Sequence, residues 1–175
     1  MKKAKSHLLD VEIDRLTNSI VNTISGDSFP TDVSLLVKSD LKQLQKNNEW
    51  LFNWRHELQS NDRETFKLTI VNNPAIIQGV MSMTVNTDHV FIHLIENAPF
   101  NRGTGKIYEG VPGNLVAFAC KISFQRGGAG FVSFQAKTKL IDHYIKILGA
   151  YHFGNHLMVI DNRAAQKLID KYFKN

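Results

Sequence analysis

The chain has 175 residues, 43% hydrophobic and 21% charged, with one cysteine, a formal charge of +5 and an isoelectric point near 9.3, a composition ordinary for a soluble globular protein and long enough to bury one well-packed core. No window offers the roughly 18 consecutive apolar residues that a membrane span needs, and MKKAKSH runs into HLLDVEIDRL rather than into the apolar core of a secretion signal. Cys120, being alone, excludes an internal disulfide, so the cytoplasm is the expected compartment.

Residues 8–25 place Leu9, Ile13, Leu16, Ile20 and Ile24 at helical spacing between acids and Arg15, and Gly26 ends the pattern, which predicts an amphipathic N-terminal helix. Pro30 and TDVSLLV predict a first strand, and DLKQLQK, with Asp40 near its start, a short helix. LFNWRHEL, TFKLTIV, IIQGVMSMTV and HVFIHLIE are separated by SNDRE, NNP and NTD, so four consecutive strands are expected to form an antiparallel meander. Trp50, Phe52 and Trp54 alternate there and would line one face of a strand, as core packing or as a substrate-facing aromatic wall.

Beyond residue 97 helix and strand alternate: a helix from about 111 to 126, GGAG, the strand GFVSFQA, a helix opened by Thr138 and closed at Gly149, the strand HLMVID and a C-terminal helix over 162–175. Strand, helix, strand predicts a parallel pair with a right-handed crossover. Residues 1–175 therefore read as one α/β (α+β) domain.

EGVPGNLVAFACKIS, residues 109–123, follows the strongest strand pattern and opens with Gly110, Val111, Pro112, Gly113 and Asn114. Proline suits the first helical position, glycines admit a ligand close to the backbone, and the unpaired N–H groups of a first helical turn attract anions. The expectation is that these amides grip a diphosphate. If they are instead buried against protein, a function that rests on that grip falls with it and only a compact mixed architecture is left.

Meander, phosphate-cradling turn, helix, strand, a helix ending in Leu-Gly and a closing strand form an order that resembles the GNAT acyltransferases over roughly residues 66–161. GNLVAFACKIS, AKTKLIDHYIKILGA and LIDKYF look like small standalone bacterial members of that superfamily. The loop departs from the family pattern, which has Gln or Arg, two residues, Gly, one residue, then Gly or Ala. Tyr144 stands five residues before Gly149 where the family has four.

The resemblance implies a GNAT-like mixed sheet and transfer of an acyl group, acetyl above all, from acetyl-CoA to an amine of a small molecule or a protein by direct attack. It implies that the coenzyme arm pairs with the splayed end of the central strand at Leu94 and Ile95. Its phosphates would meet Lys106, Gly110, Val111, Gly113, Asn114 and Leu115, with Asn101, Arg102, Gly103 and Gly105 as further contacts. Glu96 is the implied general base, through a water, Glu109 a second candidate, and Tyr144 the acid toward the leaving thiolate. The N-terminal helix could cover the core, shape the acceptor pocket or pair two subunits in a homodimer.

Other readings are weaker. Gln125, Gly128 and Gly130 match the loop motif literally but follow a helix and precede a strand, the wrong order for outward-pointing amides. GTGKIYEG fails both the P-loop and the dinucleotide patterns. His89 and His93, four apart on a strand, lie about 13 Å apart at roughly 3.3 Å per residue, too far to share a metal; His152 and His156 flank a turn without further ligands, and no metal is expected. Cys120 reads as a core residue. A non-catalytic binding module of the same fold is the first alternative function, and a nucleic-acid-associated protein, resting on net charge alone, the second.

Overall fold

The computed structural model describes residues 7–173. In chain order its elements are β1 Ile20–Asn22, β2 Ser28–Phe29, β3 Thr31–Leu35, α1 Trp54–Gln59, β4 Glu64–Ile70, β5 Gly79–Val85, β6 Val90–Asn97, β7 Tyr108–Glu109, α2 Val111–Gln125, β8 Val132–Gln135, α3 Ile141–Leu148, β9 Tyr151–His152, β10 Leu157–Ile160 and α4 Asn162–Tyr172, with short 3-10 turns between some of them. A seven-stranded sheet runs β3-β4-β5-β6-β8-β10-β9, and a small three-stranded one β2-β1-β7.

The expected mixed sheet is present. β3 to β6 form the antiparallel meander, and β6 pairs with β8 in parallel across α2. β10 lies antiparallel to β8 because α3 returns the chain into β9, and the turn at Gly154 and Asn155, both in the left-handed region, then folds β10 back between β9 and β8. Among the described residues no helix is long and apolar enough to cross a membrane.

Alternation along the meander sends side chains to two cores. Leu68, Met81, Ile92, Ile95 and Phe134 pack under α2, α3 and α4, whereas Val80 and Leu94 face Leu36, Leu41, Trp50 and Trp54. α2 has no charge from Val111 through Cys120 because this stretch is almost wholly covered, α4 packing against it on one side and the sheet on the other.

Two sequence expectations fail. LFNWRHEL is not a strand: Asn53 Oδ1 accepts from His56 N at 3.1 Å and starts α1 at Trp54, and a helix N-cap of this kind overrides the weak alternation of three aromatic residues. Trp50 and Trp54 are core residues, Phe52 a partly buried neighbour.

The N-terminal helix is also absent. Residues 7–17 carry no helical turn, the chain bends at Asn18 and Ser19, the latter at φ 66°, before β1, and Gly26 sits at φ 75° in the β1–β2 turn rather than at a helix end. Leu9, Val11 and Ile13 alternate with Asp10, Glu12 and Asp14, a period-two pattern that competes with the helical one. Tertiary burial decides the contest: Leu9 and Ile13 are buried in the main core while Ile24, the last residue of the helical series, is 95% exposed.

Candidate functional site

β6 and β8 pair only through Val90–Val132, Phe91–Ser133 and Ile92–Phe134. The next residue, His93, is an extra one: the β5–β6 register steps from Met83–Ile92 to Ser82–Leu94. Such a bulge bends a strand, and β6 leaves β8 at that point. Leu94 to Asn97 thus keep β5 on one side and lose β8 on the other, a splayed strand end of the kind the resemblance implies.

The N-terminal segment lies in this gap on the β8 side. Leu9 bridges Ala136 in parallel, its N–H donating to Gln135 O at 2.6 Å and its carbonyl accepting from Lys137 N at 3.1 Å. Tyr144 OH donates to Val11 O at 2.6 Å and accepts from Val11 N at 3.3 Å. His143 Nε2 accepts from Ile13 N at 2.9 Å, and Tyr172 OH donates to Arg15 O. Side chains of α3 and α4 therefore satisfy the backbone of a strand that has no full ladder. Burial of Leu9 and Ile13 contributes roughly 1.5–3 kcal/mol each.

This strap changes the reading of the α2 turn. Gly110, at φ 97°, donates its N–H to Asp14 Oδ1 at 3.0 Å, and Asp14 Oδ2 accepts from Lys106 Nζ at 3.1 Å. Asn114 donates its side-chain amide to Ser19 O at 3.0 Å. Val111, Pro112, Gly113, Asn114 and Leu115 are all buried, and a Cβ on Gly113 would collide with the Tyr172 hydroxyl. The turn does hold an anion, as its dipole favours, but the anion is the chain's own carboxylate, so the expectation of open amides fails.

An open cavity of about 560 Å³ remains between the strap and the free end of β6. Leu94, Ile95, Glu96, Asn97, Arg102 and Lys106 line one side, and Leu8 to Glu12 the other. The sequence-predicted Leu94, Ile95, Glu96 and Lys106 thus meet here. Gly110, Val111, Gly113, Asn114 and Leu115 do not line it; nor does Glu109, which pairs with Val21 across β7 and β1 and lies 3.5 Å from Arg15 Nη1. Tyr144 lies beneath the strap instead, and burial pushes its phenol well above the ordinary range.

Glu96 is 4% exposed and heavily engaged. Its Oε2 accepts from Leu51 N at 2.7 Å with Arg102 Nη1 at 3.9 Å, and its Oε1 accepts from Trp54 Nε1 at 2.8 Å and Phe52 N at 3.3 Å. A carboxylate offers about four acceptor positions, so Glu96 pins the segment before α1 onto the end of β6. Asp10 is held below the usual carboxylate range by its hydrogen bond from Lys137, with Lys139 also close. Glu12, exposed on the cavity rim, has no ion pair among the described residues.

The sequence reading sets residues 8–25 on a helix able to shape the acceptor pocket and Phe52 on an aromatic strand face, so it misses the strap that brings Leu8, Asp10, Val11 and Glu12 to the cavity and the capture that brings Leu51 and Phe52. The strict alternation LDVEID was the signal for the first group. Nothing local marked the second, since Leu51 and Phe52 reach the cavity only because Glu96 captures their amides.

No protein-family model matches the chain, and the comparison with curated proteins finds no match. Solved structures do match. The spermidine N-acetyltransferase from Vibrio cholerae in complex with CoA and spermine is 15% identical, with 78% of this chain and 98% of that one aligned at a TM-score of 0.55. The ribosomal-protein-S18-alanine N-acetyltransferase from Escherichia coli is 15% identical over 74% of this chain and 90% of its own at 0.51, and AtaTR bound with AcCoA is 12% identical over 79% and 97% at 0.54. At such identities the likeness establishes the fold, which is that of the GNAT acetyltransferases.

Proposed function

We propose that this chain, having the GNAT fold, is an acyl-CoA-dependent N-acyltransferase that moves an acetyl group from acetyl-CoA to a primary amine. The observation that carries the reading is the unpaired edge of β6, Leu94 to Asn97, facing a cavity of about 560 Å³. An extended arm can add to such an edge as a strand does. Arg102 and Lys106 stand on the same wall for phosphate groups, in place of the α2 turn that Asp14 fills. The coenzyme supplies the activated thioester.

The chain's own residues then have distinct tasks. Leu51, Phe52 and Leu8 give the cavity apolar walls, and main-chain N–H groups of the free β6 edge are the donors for negative charge that develops on a carbonyl oxygen. Glu96 takes the amine proton through a water; Phe52 N, its most distant N–H donor at 3.3 Å, is the partner that yields. As the amine nitrogen bonds to the acyl carbon, the carbon–sulfur bond breaks and the thiolate needs a proton. Tyr144 can give one only if its bond to Val11 O opens, and Glu109 stands away from the cavity as a reserve base. The acceptor is a small-molecule amine or a protein amine, drawn by Glu12 on the rim, since Asp10 is already paired with Lys137 and Lys139.

Thermal unfolding with and without acetyl-CoA tests binding, because a ligand of the folded state alone raises the midpoint. Thiol release with a panel of amines tests turnover. No midpoint shift and no thiol release would overturn the proposal. A second reading, a binding module that keeps the fold without turnover, is favoured by the full set of donors on Glu96 and by the commitment of Tyr144 to the strap. It predicts a midpoint shift with no thiol released.

A further inference from the structure

A groove of about 420 Å³ opens between the end of α3, β9 and the outer side of α4. Lys146, Arg163, Lys167 and Lys171 line it, and its one acid is Asp161. The Asp161 carboxylate is engaged, accepting from Ala164 N at 2.8 Å as the N-cap of α4. Among the described residues none of the four cations forms an ion pair.

Arg163, Lys167 and Lys171 are four residues apart and form one row, spaced about 6 Å per step along the helix. Like charges at this spacing destabilise an isolated helix by a few tenths of a kcal/mol per pair, and α4 does not relieve them with acids: its Asp170 accepts from Gln166 at 2.9 Å. Lys146 adds a fourth charge from another helix, and the Tyr151 ring stands 56% exposed beside them. The floor is apolar, with Leu148 and Leu168.

We propose that this groove binds the phosphodiester backbone of single-stranded nucleic acid. A row of unneutralised cations longer than one diphosphate suits a chain of phosphates, and an exposed aromatic ring gives a base a surface to stack on. An apolar floor without buried donors does not select a compact nucleotide by hydrogen bonds. The proposal is independent of the transferase reading, although one segment borders both places: Leu16 lines the groove and Leu8 to Glu12 the cavity.

Fluorescence polarisation with a labelled single-stranded RNA of about twelve nucleotides tests it, a length that spans one binding groove. Four phosphate contacts predict that log affinity falls with log salt at a slope of about −3. The Arg163→Glu/Lys167→Glu variant should lose at least about tenfold in affinity, and Lys38→Glu/Lys46→Glu, the same charge change on exposed 3-10 turns, no more than about twofold. Equal losses in both variants, or affinity indifferent to salt, would overturn the proposal. So would inorganic tripolyphosphate displacing the RNA at equal phosphate concentration, which would mark a small-polyphosphate site. If circular dichroism shows the charge-reversed variant unfolded, Lys167→Ala and Lys171→Ala decide: each should lower the salt slope by about 0.7, and unchanged slopes would refute the site.

Discussion

The main-chain N–H of Gly110 donates to Asp14 Oδ1 at 3.0 Å, joining the first turn of α2 to a residue 96 positions earlier. An anion-attracting helix end is therefore filled from within, and Lys106 Nζ at 3.1 Å balances the carboxylate. Asp14→Ala should cost about 1–2 kcal/mol, the size of a lost helix cap with its charge-assisted bond. It should also open the turn to added anions. Millimolar inorganic pyrophosphate should then raise the thermal midpoint of Asp14→Ala by more than that of the wild type; equal responses would show that the carboxylate does not guard the turn.

Gly113 is packed so closely that a Cβ there would meet the Tyr172 hydroxyl and lie 3.2 Å from Arg15 O. Gly113→Ala is expected to destabilise by about 1–3 kcal/mol through overpacking. Tyr172→Phe removes the nearer obstructing atom along with its bond to Arg15 O and leaves ring carbon Cζ 2.7 Å from the added Cβ, so relief is partial and the double variant should be less destabilised than the sum of the two single ones. Urea unfolding of all four proteins measures this coupling, and strict additivity would deny the contact.

Three of the four expected meander strands, α2, α3 and α4 were legible because each carries its own period and stop signal: Gly149 closes α3 at φ 69° and Asp161 caps α4. The splayed end of β6 was legible only through resemblance. Its physical cause, the bulge at His93, has no signature in HVFIHLIE. The strap was misread because Leu9, Ile13, Leu16 and Ile20 fit a helix as well as LDVEID fits a strand, and only partners distant in sequence, Tyr144, His143 and Tyr172, resolve the tie. Glu96 was identified as the carboxylate at the strand end, but its capture of Leu51, Phe52 and Trp54 depends on α1, which the alternating aromatic residues concealed.

Glu96→Gln replaces an acceptor-only group with one whose amide must face at least one N–H donor. A stability loss of about 1–3 kcal/mol is expected, typical of a buried donor left unpaired. If Glu96 is also the base, thiol release should fall at least about a hundredfold, the usual worth of general base catalysis, at temperatures where circular dichroism shows the variant folded. Loss of stability with turnover unchanged would leave Glu96 a purely structural carboxylate.

His93 sits at the bulge, 9% exposed, with Nε2 2.6 Å from Thr84 Oγ1. The Thr84 hydroxyl donates to Asp62 O at 2.7 Å, so its oxygen is left to accept from a neutral His93 that carries its proton on Nε2. Burial first, and then the nearby Arg63 guanidinium, lower the His93 pKa to about 4, Asp62 opposing and His7 assisting. The unfolded chain titrates this group near 6.5. Between those values the unfolded state holds the extra proton, so the His93 contribution is complete above pH 6.5 and declines as pH falls toward 4. Urea unfolding at a series of pH values should show stability falling more steeply over this window in the wild type than in His93→Gln, which keeps an N–H for Thr84 but cannot titrate. Parallel curves for the two proteins would mean that His93 is charged in the fold or accessible to water there.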